Sequence, residues 1–297
     1  MKLPPEVSEE YPFEGSFKVL SHGHRLHYLD EGEGEGTPIL MLHGNPTWSF
    51  LYRKLILAMR EKARCIAPDH LGCGLSDKPP HPGFPYDLAS HVENLREFLD
   101  QLGVDKVRLV VHDWGGAIGF GAFRDQPERV ESIVILNTAA FPSDRCPWRI
   151  RTCRLPWLGA LIVRGFNGFA APAARMAVTK PLSRAASQGF LFPYDSWANR
   201  VAVWRFVRDI PLSSSHPSMP LLTEIGQKME NFRNCPATAI WGDSDFCFNK
   251  YILRKWNKIL PNLHVIKYPD AGHYVLEDAG EQAIEDIQDS FQKAKTT

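Results

Sequence analysis

The sequence is short of the marks that identify several large classes of protein. Lys/Arg and Asp/Glu are equal at 34 each, so no excess of positive charge points to nucleic acid. No apolar run reaches the length of a membrane-spanning helix. The opening MKLPPEVSEEYPFEG is acidic and has no apolar core of the secretory kind. Neither a signal peptide nor an anchor is expected there, and the cytoplasm is the expected compartment. The six cysteines, at 65, 73, 146, 153, 235 and 247, form no CxxC pair, and no Cys/His cluster has zinc spacing. Reduced structural thiols are expected, with no metal and no cofactor. There is no internal repeat. There is also no G-x-S-x-G, the pentapeptide that raises a serine nucleophile on a strand–helix turn.

The sequence does contain a regular alternation. With 44% hydrophobic and 23% charged residues, the chain has the composition of a soluble globular protein, and 297 residues suit one large α/β domain with an insertion. The runs 37–44, 63–70, 106–113, 131–138, 237–245 and 263–273 read as buried strands, and 15–20 with 24–32 as an antiparallel edge hairpin. Between them, 90–103 repeats apolar residues at Val92, Leu95, Phe98, Leu99 and Leu102 and stops at Gly103, which predicts a helix. This alternation predicts a mostly parallel central sheet with helices on both faces.

Residues 143–215 break the rhythm. They hold eleven Lys/Arg, three Asp/Glu and ten aromatics, so this stretch carries +8 and the rest of the chain −8. It reads as a helical cap inserted into a core made of 1–142 and 216–297. A solvated basic face is the plainer account of its charge; docking on an anionic membrane surface or an acidic protein partner is the sharper one.

The stretch Val110-Val-His-Asp-Trp-Gly-Gly116 ends an apolar run in a carboxylate followed by small residues. It has the form of a nucleophile elbow with Val111 at the first glycine and Asp113 at the serine, at the sheet edge where open α/β folds bind ligands. Asp113 also suits a plain helix N-cap. Chemistry favours the first role. A serine displacing a leaving group from saturated carbon would form an ether that mild hydrolysis cannot release. A carboxylate forms an ester, which water can cleave at the enzyme's own carbonyl. A base is then needed, and His273 after the last strand is the candidate. Asp245 is expected to orient it, with Asp243 as the fallback. Asn137 follows another strand but is neutral. The departing anion needs uncharged donors, which Asn45 in HGNPTWSF and Trp114 supply. Trp48, Phe141, Phe166, Phe169, Trp197 and Phe206 are candidate pocket residues, and His112 reads as structural.

Together HGNPTWSFLYRK, APDHLGCGLSDKP, VVHDWGGAIGF, WGDSDF and GHYVLED resemble the haloalkane dehalogenase family of the α/β-hydrolase superfamily, from about residue 15 to 290. The resemblance implies that fold, with Asp113 as nucleophile, His273 as base, Asp245 as acid and Asn45 with Trp114 as the halide pair. An acid after the penultimate strand plus an asparagine donor resembles the third subfamily, neighbour to the β-lactone decarboxylases of olefin biosynthesis. LNTAAFP, PYDSWANR, RFVRDIPL and CFNKYIL resemble those decarboxylases as well. The leading expectation is hydrolysis of haloalkanes to alcohol and halide, with a hydrophobic small molecule and water as partners. The alternative is release of a long-chain alkene and carbon dioxide from a β-lactone. An epoxide hydrolase ranks lower, because Tyr194 is the lone tyrosine of 143–215. A binding protein on a degenerate hydrolase fold ranks lower too, because each catalytic position holds a competent residue.

Overall fold

The chain folds around eight strands: β1 (Ser16–Val19), β2 (Arg25–Glu31), β3 (Ile39–Leu42), β4 (Cys65–Pro68), β5 (Val107–Asp113), β6 (Val130–Thr138), β7 (Ala237–Gly242) and β8 (His264–Tyr268). In the computed structural model, which describes residues 3–294, they form one sheet in the order β1-β2-β4-β3-β5-β6-β7-β8. Residues 1–2 and 295–297, at the ends of the expected core segments, lie outside the described residues. β1 and β2 pair antiparallel, as do β2 and β4, and the remaining neighbours pair parallel. This is the α/β-hydrolase topology that the alternation of apolar and amphipathic runs predicted.

The central strands are apolar at successive positions because both faces of the sheet are covered. Side chains alternate across a strand, so Leu109 and Val111 join the core layer on one face and Val110 the layer on the other. Each such residue, fully buried, contributes about 1.5–3 kcal/mol by leaving water. The helix predicted at 90–103 spans Leu88–Leu102. Asp87 caps its start by accepting from the Ser90 N–H, and Gly103 ends it at φ 63°.

The expected strands overrun the observed ones. The run 263–273 yields only His264–Tyr268, and 237–245 yields Ala237–Gly242. The surplus lies in loops at the C-terminal ends of the strands, where His43, Asp69, His70, Asp245 and His273 are nonetheless buried. Their hydrogen bonds go to one another and to loop backbone rather than to the ladder. Asp69, for example, accepts from Ser49 N at 2.7 Å and Leu75 N at 2.9 Å and meets His27 Nδ1 at 2.8 Å. These carboxylate bonds fix the loop that follows β4 and tie it to β2 and to the segment after β3.

Between β6 and β7 the chain leaves the sheet for short helices at Trp148–Cys153, Pro156–Ala160, Ala170–Met176, Arg184–Leu191 and Val201–Asp209, with a π-helical turn at Leu161–Gly165. This inserted region has a small core of its own around Val163, Tyr194, Val203 and Val207. Several hydrogen bonds tie it to the core. Asp209 accepts from Leu88 N at 2.8 Å and from Ser218 Oγ at 2.6 Å, and Trp48 Nε1 donates to Gly189 O at 3.0 Å. No helix of the described residues is long and apolar enough to cross a membrane.

Candidate active site

Asp113 ends β5 at φ 50°, ψ −124°, a conformation disfavoured for any residue with a side chain. The turn closes only because its neighbours are small. A Cβ on Gly44 would lie 2.1 Å from Asp113 Oδ1, and one on Gly115 would lie 2.0 Å from Leu42 O. Thr138 Oγ1 donates to Asp113 O and holds the turn from β6. The Asp113 side chain makes no N-cap hydrogen bond to its helix. Its Oδ1 instead accepts the Asn45 N–H at 2.7 Å, and its Oδ2 faces His273 Nε2 at 3.7 Å.

His273 sits after β8 and is buried. Its Nδ1 meets Asp245 Oδ2 at 2.8 Å, so Nε2 is the nitrogen turned toward Asp113. Asp245 is fixed on every side. Asn137 Nδ2 donates to its Oδ2 at 3.0 Å, and Cys247 N to its Oδ1 at 2.6 Å. Asp243, the fallback acid, is exposed and pairs with Lys267 at 3.3 Å.

Electrostatics follow from burial and these neighbours. Burial raises the Asp113 pKa above the ordinary carboxylate value, opposed by His273 and by the backbone N–H groups of Asn45 and Trp114. Burial works against a His273 cation, but the Asp245 charge and hydrogen bond, with Asp113, more than offset it and hold the imidazole pKa above its usual value. The corner therefore presents a buried carboxylate beside an unusually basic imidazole, a pairing found where proton positions are set for chemistry.

Above them lies a mainly apolar cavity of about 170 Å³ that opens to solvent. Asn45, Asp113, Trp114 and His273 bring the polar groups to its floor, and Phe141, Ile150, Phe169, Val207 and Leu222 are among its apolar walls. Asn45 Nδ2 donates to Val203 O at 3.2 Å, which joins this side chain to the inserted helices. Of the six candidate pocket aromatics, Phe141 and Phe169 line the cavity and the other four do not. Trp48 is sealed in the core and stacks on Phe50. Phe206 is buried behind Trp114, with ring centroids 5.4 Å apart. Phe166 and Trp197 face outward, exposed by 76% and 48%.

Three contributors escaped sequence reasoning. Asn137 is neutral, and neutrality is what it uses: its amide donates to Asp245 and to Gly242 O while its Oδ1 accepts from Gly242 N. Its φ of 34° at a buried strand end turns it there. His112 donates from Nε2 to His273 O at 3.0 Å and packs its ring 4.4 Å from that imidazole; burial holds its pKa well down, so it is neutral. Phe248 stacks on the His273 ring at 5.4 Å. Position after a strand end was the available signal for Asn137. No sequence pattern marks the other two.

Residues 37–280 match the family described as the alpha/beta hydrolase fold. A cis-3-alkyl-4-alkyloxetan-2-one decarboxylase of Shewanella oneidensis is 42% identical over 96% of this chain and 90% of its own length. The protein of that name from Xanthomonas campestris is 40% identical over 90% of this chain and 92% of its own. Haloalkane dehalogenase 2 of Mycobacterium tuberculosis is 34% identical over 95% of this chain and 96% of its own. Among solved structures, a haloalkane dehalogenase from Bradyrhizobium elkani superposes with a TM-score of 0.86 at 22% identity, over 96% of this chain and 99% of that one. That likeness establishes the shared fold.

Proposed function

The chain belongs to the α/β-hydrolase family, in the branch of haloalkane dehalogenases and β-lactone decarboxylases, and we propose that it is an enzyme releasing an alkene and carbon dioxide from a cis-3,4-dialkyl-oxetan-2-one. The observation that carries this reading is a carboxylate, not a hydroxyl, at the floor of a mainly apolar cavity. Its direction comes from the relatives, since identity to the two decarboxylases exceeds identity to the dehalogenase. This reverses the order of the two activities expected from the sequence alone.

In this reading Asp113 attacks the saturated ring carbon that bears the oxygen. The carbon–oxygen bond of the strained four-membered ring breaks, and its electron pair leaves on what becomes a free carboxylate. Asn45 and Trp114 are the uncharged donors that receive this anion. The alkyl ester on Asp113 then collapses. The carboxylate leaves as carbon dioxide, its bonding pair forms the alkene, and the Asp113 carboxylate is expelled intact. No water is consumed and no proton is gained or lost. The His273 imidazolium, kept charged by Asp245, stabilises the returning Asp113 charge.

Hydrolytic dehalogenation is the second reading, favoured by the same donor pair beside the same carboxylate. There Asp113 displaces halide, and His273 Nε2 takes a proton from the water that cleaves the ester, giving alcohol, halide and a proton. An epoxide hydrolase gains no support. Tyr194 is buried with its hydroxyl donating to Thr47 O and does not line the cavity.

Parallel incubation with a long-chain cis-β-lactone and with 1-bromobutane tests the choice. Alkene and carbon dioxide formed faster than bromide is the expected result. Bromide release far outpacing alkene formation would overturn the lyase reading and leave the hydrolase.

A further inference from the structure

The inserted helices carry a surface that the chemistry does not use. Eight of the twelve exposed large apolar side chains among the described residues lie between Trp148 and Trp197. Trp157 is 89% exposed, Phe166 76% and Trp148 72%, with Leu158 and Leu161 about half exposed beside them. These residues are neighbours: helix Pro156–Ala160 runs directly into the turn Leu161–Gly165, and Arg164 joins that turn to Trp197, its guanidinium 4.5 Å from the ring centroid. Arg149 lies 5.4 Å from the Trp148 ring. Soluble proteins seldom leave aromatic side chains this exposed in one patch without a partner to cover them.

The charge around the patch identifies the partner. From residue 145 to 194 there are eight Lys/Arg and no Asp or Glu. Among the described residues only one of the eight side chains, that of Arg184, forms a salt bridge, with Glu6 at 3.6 Å. Among the described residues Arg145, Arg149, Arg151, Arg164 and Arg175 form no salt bridge, and they are interleaved with tryptophan, phenylalanine and leucine. A protein interface of this area would ordinarily mix charges of both signs at its rim. Indole and phenyl groups at headgroup depth, surrounded by arginines of one sign, fit the edge of an anionic bilayer.

We infer that this face docks on an anionic membrane surface, with Trp148, Trp157 and Phe166 entering the interface and the arginines meeting lipid phosphates. The docked face adjoins the cavity. Arg145 and Ile150 flank Trp148 in the chain and line the cavity, as does Phe246, which is 44% exposed. A water-insoluble substrate would thus reach Asp113 from the bilayer rather than through bulk water. The docking rests on the surface alone; only the delivery of substrate to Asp113 rests on the reaction proposed above.

Flotation with phosphatidylcholine vesicles, and with vesicles holding about one-third phosphatidylglycerol, tests it using the full chain. Binding to the anionic vesicles that fades with salt is expected, with quenching of tryptophan fluorescence by brominated acyl chains. A W157S/F166S variant and an R149Q/R164Q variant, with melting curves as the control for folding, should each lose roughly tenfold or more in vesicle affinity. Asp113→Asn should bind vesicles like the parent, so docking and catalysis fail separately. No flotation at low salt, equal binding by both variants, or a sedimenting dimer that hides the tryptophans from quencher would each overturn the inference.

Discussion

The corner around Asp113 and the inserted helices above it solve opposite problems with similar residue types. At the corner each charge is buried and held: Asp245 by Asn137, Cys247 and His273, Asp113 by Asn45. In the inserted helices several arginines form no salt bridge among the described residues, and tryptophans stand in solvent. The difference is one of support. The corner sits at the ends of paired strands whose backbone is already fixed, so a side chain placed there costs little further ordering and can be held to sub-ångström tolerance. Short helices without long ladders cannot hold a reacting group so firmly, but they can present a broad face. On the proposed reading, chemistry resides at the sheet edge, and the insertion supplies walls of the cavity.

The sharpest way to break this comparison is to remove the corner's carboxylate charge while keeping its shape. Asp113→Asn should lower turnover at least roughly thousandfold while leaving the melting curve near that of the parent, because the amide fills the same turn. Turnover near the parent rate would move the chemistry away from the corner altogether.

The direction of the pH profile sharpens it further. His273 has a raised pKa, so its cation persists above the usual histidine range. In the lyase reading the cation is the working form, and activity falls as pH rises through that raised value, by about tenfold per unit beyond it. In the hydrolytic reading neutral imidazole is the working form, and activity falls instead on the acid side. A rate profile on each substrate distinguishes the two.

Asn137→Leu removes the amide that satisfies Asp245 and Gly242. A loss of about 1–3 kcal/mol in stability is expected from the groups left unpaired. If Asn137 positions Asp245 and thereby His273, the alkaline or acid limb of the rate profile also shifts toward ordinary histidine values. An unmoved limb would make Asn137 a purely structural residue.

An effect on stability alone lies at the seam. Burial pushes the Asp209 carboxyl up to about 6, against the opposing hydrogen bonds from Ser218 and Leu88. A folded-state pKa above the unfolded value favours the protonated form in the fold. The associated stability is present in full below about pH 4 and is lost as pH rises through about 6, an effect of order 1–3 kcal/mol. Asp209→Asn should flatten that slope in thermal melts taken from pH 4 to 7. An unchanged slope would place the titration elsewhere.

Much of this was legible in the sequence because the fold is written in apolar periodicity and the site in residue type at strand ends. β5 followed by Asp113, and Asp245 and His273 after the last two strands, could be read without coordinates. Other features could not. Strand ends were overrun because buried loop residues such as Asp69 and His70 sit inside the molecule as strand residues do. Two of the six candidate aromatics line the cavity, because composition does not say which way a ring points: Phe169 turns inward and Phe166, three residues earlier, turns outward. Asn137 escaped because a neutral amide carries no charge signature, and its value lies in a hydrogen-bond geometry reached across 108 residues of sequence.

The most direct test of the central claim is rapid-quench mass spectrometry of the His273→Ala protein mixed with a cis-3,4-dialkyl-β-lactone. Without the imidazolium to stabilise the returning carboxylate, the ester should accumulate. The peptide bearing Asp113 is expected to gain the mass of the whole lactone, and the same peptide from a protein also carrying Asp113→Asn should gain nothing. An unmodified Asp113 peptide while alkene forms at an undiminished rate would contradict the account.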